Sequence, residues 1–183
     1  GRLSREKAPD LLLKAWASLP SEKSAEMLLL IVGGVPMMAE LQEAAYQMCA
    51  EYKVQFAGFK QDILPYLCAS DIFVLPSREE CCPLALLEAM AVGRYSIATR
   101  VAGTQGIITD SEKGTLVEPD SSAQLAEAIL EAAEDPLYRQ HVGAAAARHV
   151  QQNFSLERMK ARTLDVILGM EGFESVSAAR NRA

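Results

Sequence analysis

The feature that most constrains this chain is a repeated alternation of short, continuously apolar runs with stretches of helical periodicity. Met27 to Val32 is one such run, closed by Gly33-Gly34, and residues 71 to 76 (DIFVLP) form another. An apolar run with no polar alternation suits a strand buried on both faces, which is the condition of a parallel strand covered by helices. Further strands are expected at Val54 to Phe56, 95 to 99 and Gly114 to Val117. Helices are expected at Asp10 to Leu19, 37 to 52, Asp62 to Ala69, 83 to 92, 104 to 109, 121 to 134, 136 to 152 and 155 to 170. Strands alternating with helices predict an α/β domain, a Rossmann-like doubly wound parallel sheet with helices on both faces. Ligands of such sheets bind beyond the carboxyl ends of the strands. The segments 33 to 36, 58 to 61, 76 to 83 and 100 to 106 are therefore the loops to search.

Composition narrows the partners. Lys plus Arg number 18 against 24 Asp plus Glu, a net charge of −6 in 183 residues, which argues against nucleic acid, whose affinity rests on clustered cations. No apolar stretch reaches the ~20 residues of a membrane span. Cysteines stand at 49, 68, 81 and 82, without zinc-ligand spacing and with no secretory signal before them, so a reduced, cytoplasmic chain is the expectation. Residues 1 to 170 are read as one domain and 171 to 183, which lose periodicity, as a tail. The opening Gly-Arg-Leu, with no initiator Met, reads as a point inside a longer protein.

The loop after DIFVLP is the richest in chemistry. It runs Ser77-Arg78-Glu79-Glu80-Cys81-Cys82-Pro83-Leu84-Ala85, with Glu88 following on the helix. Pro83 suits a first helical turn, and the amides of Leu84 and Ala85 then face the loop as an anion site. A carboxylate on each side of those amides, Glu80 and Glu88, would suit hydroxylated rings flanking a phosphate, the chemistry of a nucleotide sugar. The plainer alternative is a helix-terminal charge at Glu80 and a solvated residue at Glu88. Cys81 and Cys82 are expected to be buried and unreactive.

The frame around these residues resembles the donor-binding C-terminal domain of family 4 retaining glycosyltransferases with the GT-B fold. It consists of ASDIFVLPSREECCPLALLEAMAVG (69 to 93), GRLSREKAPDLLLKAW (1 to 16) and GTLVEPD (114 to 120), with Glu80 and Glu88 as a Glu-x7-Glu pair. The resemblance implies that Arg2 and Lys7 clamp the donor diphosphate, that Glu80 contacts the sugar and that Glu88 binds the ribose. It further implies that the loop from Gly58 holds the base and that Gly103 and Thr104 let main chain approach the donor. The chain departs from the family at Ala8, where Gly is usual after the Lys, and at Gly106, where an acidic residue is usual. The implied activity is transfer of a hexosyl group from a nucleoside diphosphate sugar to an acceptor hydroxyl of a sugar or lipid-linked acceptor, with retention, and with no metal or other cofactor. An N-terminal acceptor domain, and any membrane contact made through it, would lie outside this chain, which alone would be inactive or nearly so.

Readings from other classes are a non-catalytic nucleotide-sugar module and a nucleotide-sugar epimerase-type enzyme. A phosphorylase-like protein lacks its pyridoxal phosphate lysine in frame. A dinucleotide oxidoreductase lacks Gly-x-Gly-x-x-Gly, because Gly33-Gly34-Val35-Pro36 has the wrong spacing.

Overall fold

The structure is a computed structural model that describes residues 1–48 and 53–168. Its strands are β1 (Arg2–Leu3), β2 (Leu29–Val32), β3 (Gly34–Pro36), β4 (Val54–Gly58), β5 (Ile72–Leu75), β6 (Tyr95–Thr99) and β7 (Thr115–Val117). The helices are α1 (Pro9–Ala17), α2 (Ser21–Ser24), α3 (Met38–Met48), α4 (Leu64–Ala69), α5 (Leu84–Ala91), α6 (Ala102–Gln105), α7 (Ser122–Glu134), α8 (Pro136–Asn153) and α9 (Leu156–Leu168). Every strand pairing is parallel: β1 with β3, β2 with β4, and β5–β6–β7 as a three-stranded group. Residues 29–36 bond to β4 through β2 and to β1 through β3, so this segment lies between them. The expected tail (171–183), Cys49 and the ends of two expected helices (49–52 and 169–170) fall outside the described residues.

The strand buried throughout is β6, whereas the two apolar runs are less enclosed: β2 alternates buried and half-buried residues and β5 is half-buried along its length. In β6 all five residues, Tyr95 to Thr99, are buried, as two-sided helix cover requires. One core packs α1 (Leu12, Leu13, Trp16) and α7 (Leu125, Ile129) together with Ile31 and Ile97. A second joins Leu86 and Met90 of α5 to Ala98, Ile107, Ala146 and Val150. Helix α8 approaches the turn after α5 so closely that a Cβ on Gly143 would lie 2.1 Å from the Gly93 carbonyl oxygen, a position open only to glycine.

Three local expectations change. Strands β1 and β3 and helix α2 were not foreseen; each has two to four residues, too few to show a period. The helix expected at 104–109 forms at Ala102–Gln105, because Thr104 Oγ1 accepts the Val101 amide at 3.1 Å and starts the turn directly after β6. Pro83 caps α5 from an extended conformation (ψ 97°) and does not lie within its first turn.

Candidate functional site

Within each parallel group the strands run one way, so β2 and β4 deliver their following loops to one edge and β5 and β6 theirs to one edge, and the loop after β5 meets the turn after β1 where the Arg78 amide donates to the Glu6 carbonyl. Residues distant in sequence meet there. Lys7 belongs to a single 3₁₀ turn, Arg5–Lys7, after β1, and Glu80 to the loop after β5. The Lys7 Nζ lies 2.8 Å from Glu80 Oε1, with the Glu80 side chain only 6% exposed and that of Lys7 34%. Ser77, wholly buried, donates its hydroxyl to the same Oε1 at 2.7 Å. A carboxylate so enclosed needs such donors, since burial without them costs several kcal/mol.

The main chain of Glu80 is held as firmly as its side chain. Its carbonyl accepts the Gly103 amide at 3.0 Å. A Cβ on Gly103 would stand 2.5 Å from that carbonyl oxygen and 2.7 Å from the Cys81 carbonyl carbon, so the two backbones cross in contact. Thr104 is fully buried; its hydroxyl bonds to the Thr99 carbonyl and the Val101 amide, which leaves main chain as what this turn can offer a ligand. The Thr99 hydroxyl in turn donates to the Ser77 carbonyl.

Helix α5 starts beside Glu80. Its hydrogen bonding begins with the Leu86 and Leu87 amides on the Pro83 carbonyl, which leaves those of Leu84 and Ala85, at the positive end of the helix dipole, for an anion. Glu88 is exposed on the second turn. Gly58 ends β4 with φ +73°, a conformation suited to glycine, and its carbonyl accepts the Gly33 amide at 3.0 Å. Gly33 in turn packs on the Gly1 carbonyl. Arg2 stands apart from these contacts: its side chain is 79% exposed and, among the described residues, pairs with Glu6 at 3.9 Å.

Two features escaped the sequence reading. Cys81 and Cys82 are exposed, because they lie on the bend before α5 and the chain turns inward only at the buried Pro83, Leu86 and Met90. Arg78 ties the site's loops together. It bonds both carboxylate oxygens of Asp10 (3.1 and 3.0 Å), Asp120 (2.6 Å) and the Arg5 carbonyl (2.7 Å), while its amide donates to the Glu6 carbonyl (2.8 Å). It thereby anchors the turn that carries Lys7. Ala8, next in line, is buried with φ +49°, which accounts for the glycine usual there in the family; a left-handed Ala costs about 1 kcal/mol.

The Arg78 hydrogen bonds hold the Asp10 carboxyl below its ordinary value, against the opposing effect of burial. A depressed carboxylate contributes stability above its unfolded-state value, and loses it as pH falls through the native value. Asp10→Asn is therefore expected to cost about 1 kcal/mol near neutrality after allowance for solvent screening, and to cost progressively less below about pH 4. Urea midpoints of both proteins across pH would show the two curves converging on the acid side.

Among the described residues no three His, Cys, Asp or Glu side chains converge as a metal site would require. No helix among them is long and apolar enough to cross a membrane. An open cavity of about 230 Å³ against β7, lined in part by Arg100, Asp110 and Leu116, shares no residue with the cluster.

A family profile described as "Glycosyl transferases group 1" matches residues 1–149. The D-inositol 3-phosphate glycosyltransferase of Streptomyces avermitilis is 30% identical over 176 residues, which take in 91% of this chain and 38% of that protein. The N-acetyl-alpha-D-glucosaminyl L-malate synthase of Bacillus anthracis is 29% identical over 147 residues, 80% of this chain and 38% of the relative. Among solved structures, Anabaena HepE in complex with UDP-glucose superposes with a TM-score of 0.81 at 25% identity, covering 91% of this chain and 47% of that one. The sucrose-phosphate synthase of Thermosynechococcus elongatus gives 0.79 at 30% identity, covering 94% and 45%. The chain thus spans less than half the length of these proteins. It belongs to the group 1 glycosyl transferases and has the architecture of one half of their GT-B fold.

Proposed function

We propose that this chain is the donor-binding, C-terminal half of a retaining glycosyltransferase that moves a hexosyl group from a nucleoside diphosphate sugar to an acceptor hydroxyl. The observation that carries the reading is the meeting of Lys7 and Glu80, 73 residues apart, at the strand edge where α5 presents its free amides. Lys7, the Leu84 and Ala85 amides and a repositioned Arg2 would receive the diphosphate. Their positive charge would stabilise the negative charge that grows on the leaving group as the glycosidic bond breaks. Glu80 would accept a hydroxyl of the donor sugar and Glu88 the ribose. The main chain at Gly58 would meet the base, and that at Gly103 and Thr104 the donor. The acceptor, a sugar or lipid-linked hydroxyl, would bind a second domain of the whole protein, consistent with the share of its relatives' length that this chain spans. The UDP-glucose held by HepE makes a nucleoside diphosphate sugar the first ligand to try.

A thermal-shift panel of UDP-, GDP- and ADP-sugars on this chain tests the reading. One donor is expected to raise the midpoint by several degrees at saturating concentration, with no transfer to added acceptors. A panel that stabilises nothing, or efficient turnover by the chain alone, would contradict it.

A further inference from the structure

A buried circuit of hydroxyl and main-chain hydrogen bonds closes on Glu80. The Thr104 hydroxyl donates to the Thr99 carbonyl, the Thr99 hydroxyl to the Ser77 carbonyl, and the Ser77 hydroxyl to Glu80 Oε1. The Glu80 carbonyl then receives the amide of Gly103, the residue before Thr104. Ser77, Thr99 and Thr104 are all fully buried. Their positions join the loop after β5 to the turn after β6 without passing through solvent.

The circuit has one functional end. Oε1 of Glu80 accepts from both Lys7 and Ser77, whereas Oε2 has no hydrogen-bond partner among the described residues. Two donors on one oxygen fix the plane of the carboxylate and leave the other oxygen as its open acceptor. Lys7 is a long, partly exposed chain that a diphosphate would draw toward itself. Ser77 has no such freedom, being buried on a short side chain whose own carbonyl is tied to Thr99.

We infer that Ser77 is a positioning residue that keeps Glu80 Oε2 aimed at a hydroxyl of the donor sugar when Lys7 turns to the diphosphate. The inference rests on the proposed function and adds a role for a residue to which the Glu-x7-Glu pattern assigns none. It makes the buried hydroxyl matter to recognition of the sugar and not of the nucleotide. A change at Ser77 should therefore separate the two halves of the donor.

The test is calorimetric titration of the full-length enzyme with UDP-glucose, GDP-mannose and ADP-glucose and with UDP, GDP and ADP. For the pair that wild type binds, Ser77→Ala is expected to weaken the sugar nucleotide about ten- to a hundredfold, as loss of a hydrogen bond to a charged group would, and the parent diphosphate less than twofold. Ser77→Thr, which keeps the hydroxyl, should recover sugar-nucleotide affinity to within a few-fold. In a Glu80→Ala background, Ser77→Ala should cost nothing more, because its effect passes through the carboxylate. Equal losses for sugar nucleotide and diphosphate, or additive losses in the double variant, would reduce Ser77 to a structural residue and overturn the inference. Wild-type binding of the pair with no effect of Glu80→Ala on the sugar nucleotide would instead overturn the role of Glu80, and wild-type binding of none of the six would overturn the donor site itself.

Discussion

Lys7→Ala in the full-length enzyme is expected to lower kcat about 10²- to 10³-fold, the range seen when a preorganised group facing developing charge is removed. Glu80→Ala should fall in the same range, and the two losses should be far from additive. The reason is the 2.8 Å salt bridge: either truncation leaves the other charge without its partner in a cleft where the carboxylate is 6% exposed. Steady-state kinetics on both single variants and the double variant check this. Near wild-type turnover in either single variant would remove the chemistry assigned to the pair. Lys7→Arg should rescue poorly, because a planar fork cannot occupy the place of a compact ammonium beside Ser77.

Gly103→Ala is the second large effect. Its Cβ would press on the Glu80 carbonyl oxygen and the Cys81 carbonyl carbon, both main-chain atoms that cannot rotate away. Relief requires one loop to move by several tenths of an ångström or more, at about 1–3 kcal/mol of stability. The displaced element carries Glu80, so activity should fall further than stability does, by about 10²-fold for a shift near 1 Å. Thermal melts beside kinetics separate the two readouts. A variant with a lowered midpoint and unchanged kcat would show that the crossing supports the fold alone. Gly106→Ala serves as the control, since a Cβ there meets nothing within 4 Å.

What could be read in the sequence divides along physical lines. Strands β2 and β5 announce themselves as unbroken apolar runs although they are only half-enclosed, β6 is buried on both faces although it carries Ser96 and Thr99, and α1 and α7 are legible because one stripe must face the core. Strands β1 and β3 exist only by pairing with each other, and pairing between residues 2–3 and 34–36 leaves no periodic trace. The site shows the same split. Glu80, Glu88, Lys7 and Arg2 were nameable from their resemblance to a family frame, and the direct contact of Lys7 with Glu80 is a tertiary fact. Arg78 and Ser77 stood in the quoted loop, yet nothing in their spacing distinguishes an arginine that braces three segments, or a serine sealed beneath a carboxylate, from ordinary loop polarity. The exposure of Cys81 and Cys82 turns on the direction of the chain before Pro83, which composition does not encode.

The salt bridge between Lys7 and Glu80 also bears on how the proposed donor site would treat the crowd of small anions around it. A bare ammonium at the mouth of such a site would attract any phosphate. Here it comes already sheathed by a counter-ion of the protein's own making. Under the proposed function, an inorganic phosphate or a plain nucleotide would have to pull Lys7 away and would give Glu80 nothing in exchange, whereas a sugar nucleotide would bring a hydroxyl to the carboxylate. Under the proposed function, selectivity for the intact donor would then be set by the resting state of this cluster, before any chemistry begins.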